Sequence, residues 1–145
     1  MRPFARRGAS RMRAVADTNV VVSGLLWQGL PRRVLDLART GKLELFTSPA
    51  LLVELEDVLG RQKFRRRLES AGVEPGELVL GYAALASVVL PTEKPAVIVE
   101  DPDDDEVLAC ALAARAEVIV SGDRHLRSLQ SFRGIRIVTA ADLFA

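Results

Sequence analysis

The chain is poor in the side chains that soft metals and disulfides require. Cys110 is its single cysteine and His125 its single histidine among 145 residues. One thiol excludes an internal disulfide. Within the small-residue run 109–114 that thiol reads as an inert buried group, and a reducing cytoplasm fits it. A lone histidine without a second histidine or a cysteine cluster excludes a zinc site, and His125 reads as a surface residue of a short helix. The longest apolar stretch, 78–90, contains Gly81 and Ser87 and is too short to span a bilayer. The basic N-terminus has no apolar segment after it, so it does not read as a secretory signal. Neither a P-loop nor a Gly-x-Gly-x-x-Gly run occurs, which removes the usual nucleotide-cofactor signals. There is no repeat, linker or second domain.

What is present is a globular composition, 49% hydrophobic and 27% charged, which supports a packed core and argues against disorder. The length favours one domain: residues 1–11 read as a loose basic tail and 12–145 as the domain. The net charge of +1 decides nothing about nucleic acid, but its distribution is uneven. Basic residues crowd the first thirteen positions and the run Arg61, Lys63, Arg65, Arg66, Arg67. Acids crowd 100–106.

Apolar runs and breakers alternate. A strand is predicted at about 13–17, then a loop carrying Gly24 and Gly29, then a helix over about 31–40 opened by Pro31. A strand at 43–47 leads to Ser48-Pro49, a good N-cap and first helical position, and a helix to about Leu59. Helices fill 62–71 and 75–87, and a short strand covers 88–90. The acids open a helix at 103–115, a strand follows at 117–121, then a short helix, a strand at 135–138 and a final turn capped by Thr139. Such alternation predicts an α/β/α sandwich, Rossmann-like, with a central parallel sheet of four to five strands. Sheets of this kind bind ligands at the carboxyl ends of their strands. Asp17 and Asp123 both fall there and can share one crevice.

The acids carry the chemistry. Asp17 lies between Ala14-Val15-Ala16 and Val20-Val21-Val22, where a charged carboxylate is costly unless a cation binds it. In the helix after Ser48, at about 100° per residue, Leu51, Leu52, Leu55, Val58 and Leu59 form the apolar stripe. Glu54 and Glu56 flank it on opposite sides and Asp57 points away; periodicity does not choose between the glutamates. In the next acidic helix, Asp105 and Asp104 precede Leu108 by three and four positions and share its face, while Glu106 projects oppositely. Acids in a first turn can simply complement the helix dipole. Five acids among the six residues 101–106 repel one another, however, and a bound cation relieves that repulsion. Asp123 reads equally as a helix N-cap and as a site residue, and Asn19 and Ser121 as turn residues or as groups that orient carboxylates. Several converging carboxylates suit a hard divalent cation.

The segments Asp17-Thr18-Asn19-Val20-Val21-Val22-Ser23, Ser48-Pro49 through Glu54, Asp101-Pro102-Asp103-Asp104-Asp105, and Ser121-Gly122-Asp123-Arg124-His125-Leu126 resemble the PIN-domain family. They are most similar to its bacterial members grouped as toxins of toxin–antitoxin pairs, the VapC type. The resemblance covers roughly residues 13–143 and rests on the order and spacing of motifs that are each weak alone. It implies a four-acid metal site made of Asp17, Glu54, Asp105 and Asp123. Glu54 rather than Glu56 matches the family acid, and Asp105 matches the acid 18 positions before Asp123. Thr18, Asn19 and Ser121 match supporting polar positions. The sequence departs at His125, where many relatives carry another Asp; Asp104 or Asp101 can compensate.

The resemblance further implies a Mg²⁺- or Mn²⁺-dependent endoribonuclease leaving 5′-phosphate and 3′-hydroxyl ends. It implies an RNA substrate, a cognate antitoxin protein and a homodimer formed through exposed faces of the helices over 48–87. Arg61, Lys63, Arg65 and Arg66 are candidate RNA backbone contacts; a solvated helix face is the plainer reading of such a run. A non-catalytic RNA- or protein-binding module on the same fold is the alternative, although such a chain should have lost its acids. An aspartate-nucleophile phosphatase needs a second Asp where Asn19 stands, and a receiver wants a late lysine that is absent after Lys94.

Overall fold

The computed structural model describes residues 11–96 and 102–145. The tail expected at 1–11 therefore lies, apart from Arg11, outside the described residues, as does Asp101. Six strands form one sheet in the order β3-β2-β1-β4-β6-β5. Its centre is β1 (Met12–Ala16), which pairs in parallel with β2 (Leu43–Thr47) on one side and β4 (Val118–Val120) on the other. The two-residue β3 (Ser87–Val88) extends the first side, and β6 (Ile135–Val138) the second, both in parallel. These five strands are the expected parallel sheet. The sixth, β5 (Ser131–Phe132), is an antiparallel edge joined to β6 by Arg133 and Gly134, both at positive φ.

Side chains alternate across the strands and so supply two cores. Ala14, Ala16, Val118 and Val120 face a cluster with α1 (Thr18–Leu26), α2 (Leu30–Arg39), α3 (Pro49–Leu59), α4 (Gln62–Ala71) and α5 (Pro75–Leu85). Val15 and Ile119 face the other cluster, with α6 (Pro102–Ala114) and α7 (Arg124–Leu129). The last element is α8 (Ala140–Leu143), capped by Thr139 through a reciprocal hydrogen-bond pair with Asp142. Cys110 is a free, buried thiol of the second core, and burial pushes its pKa up to about 12, which keeps it protonated and inert. Among the described residues no helix is long and apolar enough to cross a membrane.

The first loop expected from sequence is instead the helix α1. Its three valines are β-branched and weaken a helix locally, but all three are buried and their packing outweighs propensity. Asp17 starts the helix as its N-cap, its Oδ1 accepting from Val20 N–H at 2.9 Å. Guanidiniums close the other end: Arg67 donates twice to Leu26 O, at 2.9 and 2.6 Å, and Arg32 donates to Gly24 O at 2.8 Å.

Gly24 lets α1 and α2 touch. A Cβ there would sit 2.8 Å from Leu35 Cδ1 and 2.9 Å from Pro31 O. Leu35 is fully buried and Pro31 O is backbone, so neither can yield freely. Gly24→Ala is expected to destabilise the fold by roughly 1–3 kcal/mol through overpacking. A urea melt with an unchanged midpoint would contradict that contact.

Candidate active site

The chain reverses direction across the sheet at β1 and β4. From β1 it proceeds outward to β2 and β3, then returns to β4 on the opposite side. The carboxyl ends of β1 and β4 thus flank the switch point where such sheets hold ligands. Asp17 follows β1 directly, and its N–H donates to Val120 O at 3.0 Å, closing the two strand ends together. Ser121 follows β4 and is fully buried. Its hydroxyl donates to Asp17 Oδ2 and accepts from Asp123 N–H at 2.9 Å. One serine thereby ties the acid after β1 to the acid after β4.

A small cleft opens over this point, lined by Asp17, Thr18, Asn19, Glu54, Asp104, Val107 and Asp123. Its volume is about 40 Å³, room for an ion and a few waters rather than for a nucleotide. A larger cavity of about 380 Å³ lies between the start of α3 and residues 90–94. The charges on its walls already neutralise one another or a neighbour: Lys94 Nζ lies 3.0 Å from Glu106 Oε2, and Arg133 Nη2 lies 2.9 Å from Glu93 Oε2. The chemistry concentrates in the smaller cleft.

Each acid arrives for a local reason. The stripe Leu55, Val58 and Leu59 turns α3 onto the sheet, and Glu54 on its flank meets the start of α1. There Thr18 Oγ1–H donates to Glu54 Oε1 at 2.7 Å. Glu56, on the other flank, is exposed, with its carboxylate end beside Gly76 of α5. Asp123 caps α7, its Oδ1 accepting from His125 N–H at 2.8 Å and Leu126 N–H at 3.1 Å. The N-cap reading of Asp123 is thus realised, and the same residue also lines the cleft.

In the first turn of α6 both Asp104 and Asp105 are buried, at 7% and 6% exposure. Asp104 lines the cleft; Asp105, the residue the sequence resemblance pointed to, does not. One step along a helix rotates a side chain by about 100°, enough to separate the two. Glu106 turns away to Lys94, as its spacing required. Thr18 and Asn19 line the cleft, and Ser121 lies beneath it. The basic run starts at Arg61, the N-cap of α4, and continues along that helix; Arg61, Lys63, Arg65 and Arg66 are exposed and Arg67 is engaged by α1.

From the sequence alone His125 reads as a surface residue. In the structure, ligand atoms of Asp104, Asp123 and His125 all lie within 4.8 Å of one another. The signal was present: a residue two positions after an N-cap acid starts the same helical turn and stays beside the capping carboxylate.

Among the described residues, four carboxylates and no lysine or arginine line the cleft. Asp17 bears the largest consequence. Burial pushes its carboxyl above the usual range; hydrogen bonds from Ser121 and Val20 pull it partly back, and the Asp123 charge adds to the rise. The N-termini of α1 and α6 offset part of this crowding with the positive ends of their dipoles. The remaining demand is for positive charge, and an all-oxygen donor set fits Mg²⁺ or Mn²⁺.

A profile of the PIN domain matches residues 13–125. The chain is also 31% identical, over 83% of its length and 76% of the relative's, to the uncharacterized protein MJ1680 of Methanocaldococcus jannaschii. Two solved structures share the fold. A chain of VapBC2 from Rickettsia felis, bound to a DNA fragment from its promoter, aligns with a TM-score of 0.56 and 12% identity, covering 87% of this chain and 97% of that one. A chain of VapBC-1 from nontypeable Haemophilus influenzae aligns with a TM-score of 0.54 and 15% identity, covering 90% and 99%. With its acids gathered at the switch point of a parallel sheet, this chain belongs to the PIN-domain family.

Proposed function

We propose that the protein is a divalent-metal-dependent endoribonuclease, the toxin of a toxin–antitoxin pair acting in the cytoplasm. The observation that carries this reading is the convergence of Asp17, Glu54, Asp104 and Asp123 in one cleft with no basic residue on its described lining. Asp17 and Asp123 would hold Mg²⁺ or Mn²⁺, braced by Ser121, with Asp104, the acid of α6 that lines the cleft, as the third carboxylate. When bound, the cation supplies Lewis acidity, lowering the pKa of a water and neutralising charge at the scissile phosphate. Glu54, steadied by Thr18, orients the attacking water and takes its proton. The new bond joins water oxygen to phosphorus, and the bond to the 3′ oxygen breaks; that oxygen takes a proton from solvent, leaving 5′-phosphate and 3′-hydroxyl ends.

The cleft is too small to enclose a nucleotide, so the RNA must lie across its mouth. Arg61, Lys63, Arg65 and Arg66 are exposed cations suited to its phosphates, and their contribution should weaken with salt. Val53 on α3 and Leu80 on α5, 69% and 73% exposed, are apolar side chains available to a second copy. An antitoxin partner is suggested by the VapBC structures that share the fold.

Millimolar Mn²⁺ is expected to raise the melting temperature of the metal-free protein. A ligand bound only by the native state contributes roughly 2.7 kcal/mol at a hundredfold excess over Kd. Glu54→Gln should blunt the rise, and Glu56→Gln, altering a carboxylate outside the cleft, should not. If Glu56→Gln alone loses the response, α3 presents the other flank to the metal.

A further inference from the structure

We propose that His125 is a nitrogen ligand of the acidic cleft, biasing it toward transition ions such as Mn²⁺ over Mg²⁺. This rests on the cleft being a metal centre. The ligand atoms of Asp104, Asp123 and His125 lie within 4.8 Å of one another. Donors at about 2.1 Å from one ion stand roughly 3–4 Å apart, so side-chain shifts of about an ångström complete the set. The backbone already fixes the histidine there, its N–H donating to Asp123 Oδ1 at 2.8 Å.

The imidazole is not committed to another role. Its Nδ1 lies 3.8 Å from Asp123 Oδ1, too far for a hydrogen bond. Its side chain is 37% exposed, which leaves room to rotate. Imidazole is a poor partner for Mg²⁺, which retains its waters; Mn²⁺ also prefers oxygen but accepts imidazole more readily than Mg²⁺ does, and later transition ions accept it more readily still. A chain with one nitrogen donor among several carboxylates should therefore discriminate between the two cations more strongly than an all-carboxylate site does.

The test uses the full-length metal-free protein titrated with Mn²⁺ and, separately, Mg²⁺, together with pulsed electron paramagnetic resonance of the Mn²⁺ form. The parent should show nitrogen-14 modulation from a directly bound imidazole. His125→Asp and His125→Ala should both lose that modulation and fold normally, given the exposure of the side chain. In His125→Asp, which replaces nitrogen with oxygen, the ratio of Mn²⁺ to Mg²⁺ affinity should fall roughly tenfold. Mn²⁺ binding that is abolished by Asp17→Asn but shows no nitrogen coupling would overturn the role of His125 and leave the metal centre standing. A parent that binds neither ion would overturn both.

Discussion

Asp17→Asn is expected to raise the melting temperature of the metal-free protein while reducing RNA cleavage a hundredfold or more. The stability gain follows from the sign of the Asp17 shift. Its folded-state pKa lies above the ordinary carboxyl value of 3.8, so the fold favours the protonated acid. That contribution is present below the unfolded pKa and is lost as pH rises through the folded one, so at neutral pH the full cost of the buried charge is borne. Asparagine removes the charge, keeps the volume and remains a good N-cap for α1. Ser121 must reorient its hydroxyl, since it now faces an amide donor or oxygen. For a chain of this size each kcal/mol gained raises the melting temperature by roughly 2–4 °C. The difference from the parent should shrink as pH falls and vanish below about 3.8. The activity loss follows from removing a proposed direct ligand, because outer-shell changes alone cost roughly 10–100-fold. A variant that melts lower at neutral pH, or that still cleaves RNA, would contradict the assignment.

Asp104→Asn and Asp105→Asn should separate cleanly. Asp104 lines the cleft, so its variant should lose both the Mn²⁺-induced rise in melting temperature and the cleavage of RNA. Asp105 is as deeply buried but is not among the residues that line the cleft. Its variant should lower the baseline melting temperature, by the roughly 1–3 kcal/mol typical of a disturbed buried polar group, yet keep the metal increment. Thermal melts with and without Mn²⁺ decide the pair. The reverse pattern would restore the alignment by resemblance and show that α6 rotates when metal binds.

These contrasts mark how far the sequence could be read. The position of Asp17 at a strand end and of Asp123 after a second strand followed from runs of apolar residues and breakers, because a parallel sheet gathers strand ends in one place. Helix α3 and its N-cap followed from Ser48-Pro49 and the apolar stripe. Helix α1 did not, since three consecutive valines favour a strand until tertiary packing buries them. The edge strand β5 left no trace because its turn is Arg133-Gly134, without the Asn or Asp that usually announces two positive φ angles. Glu54 was left level with Glu56 by periodicity, since the neighbour that distinguishes the flanks, Thr18, is 36 residues away. Asp104 and Asp105 were inseparable for a related reason: both share the face of Leu108, and the cleft admits only one. A single histidine such as His125 has no sequence pattern; only its distance to Asp104 gives it meaning.

The most direct test of the central claim is to incubate the purified protein with total bacterial RNA and sequence the new ends, with Mg²⁺ or Mn²⁺ and with chelator. The account predicts cleavage at discrete sites that requires the cation, yields 5′-phosphate and 3′-hydroxyl ends, and disappears with Asp17→Asn. Cleavage that persists in chelator, or ends bearing a 2′,3′-cyclic phosphate, would contradict it.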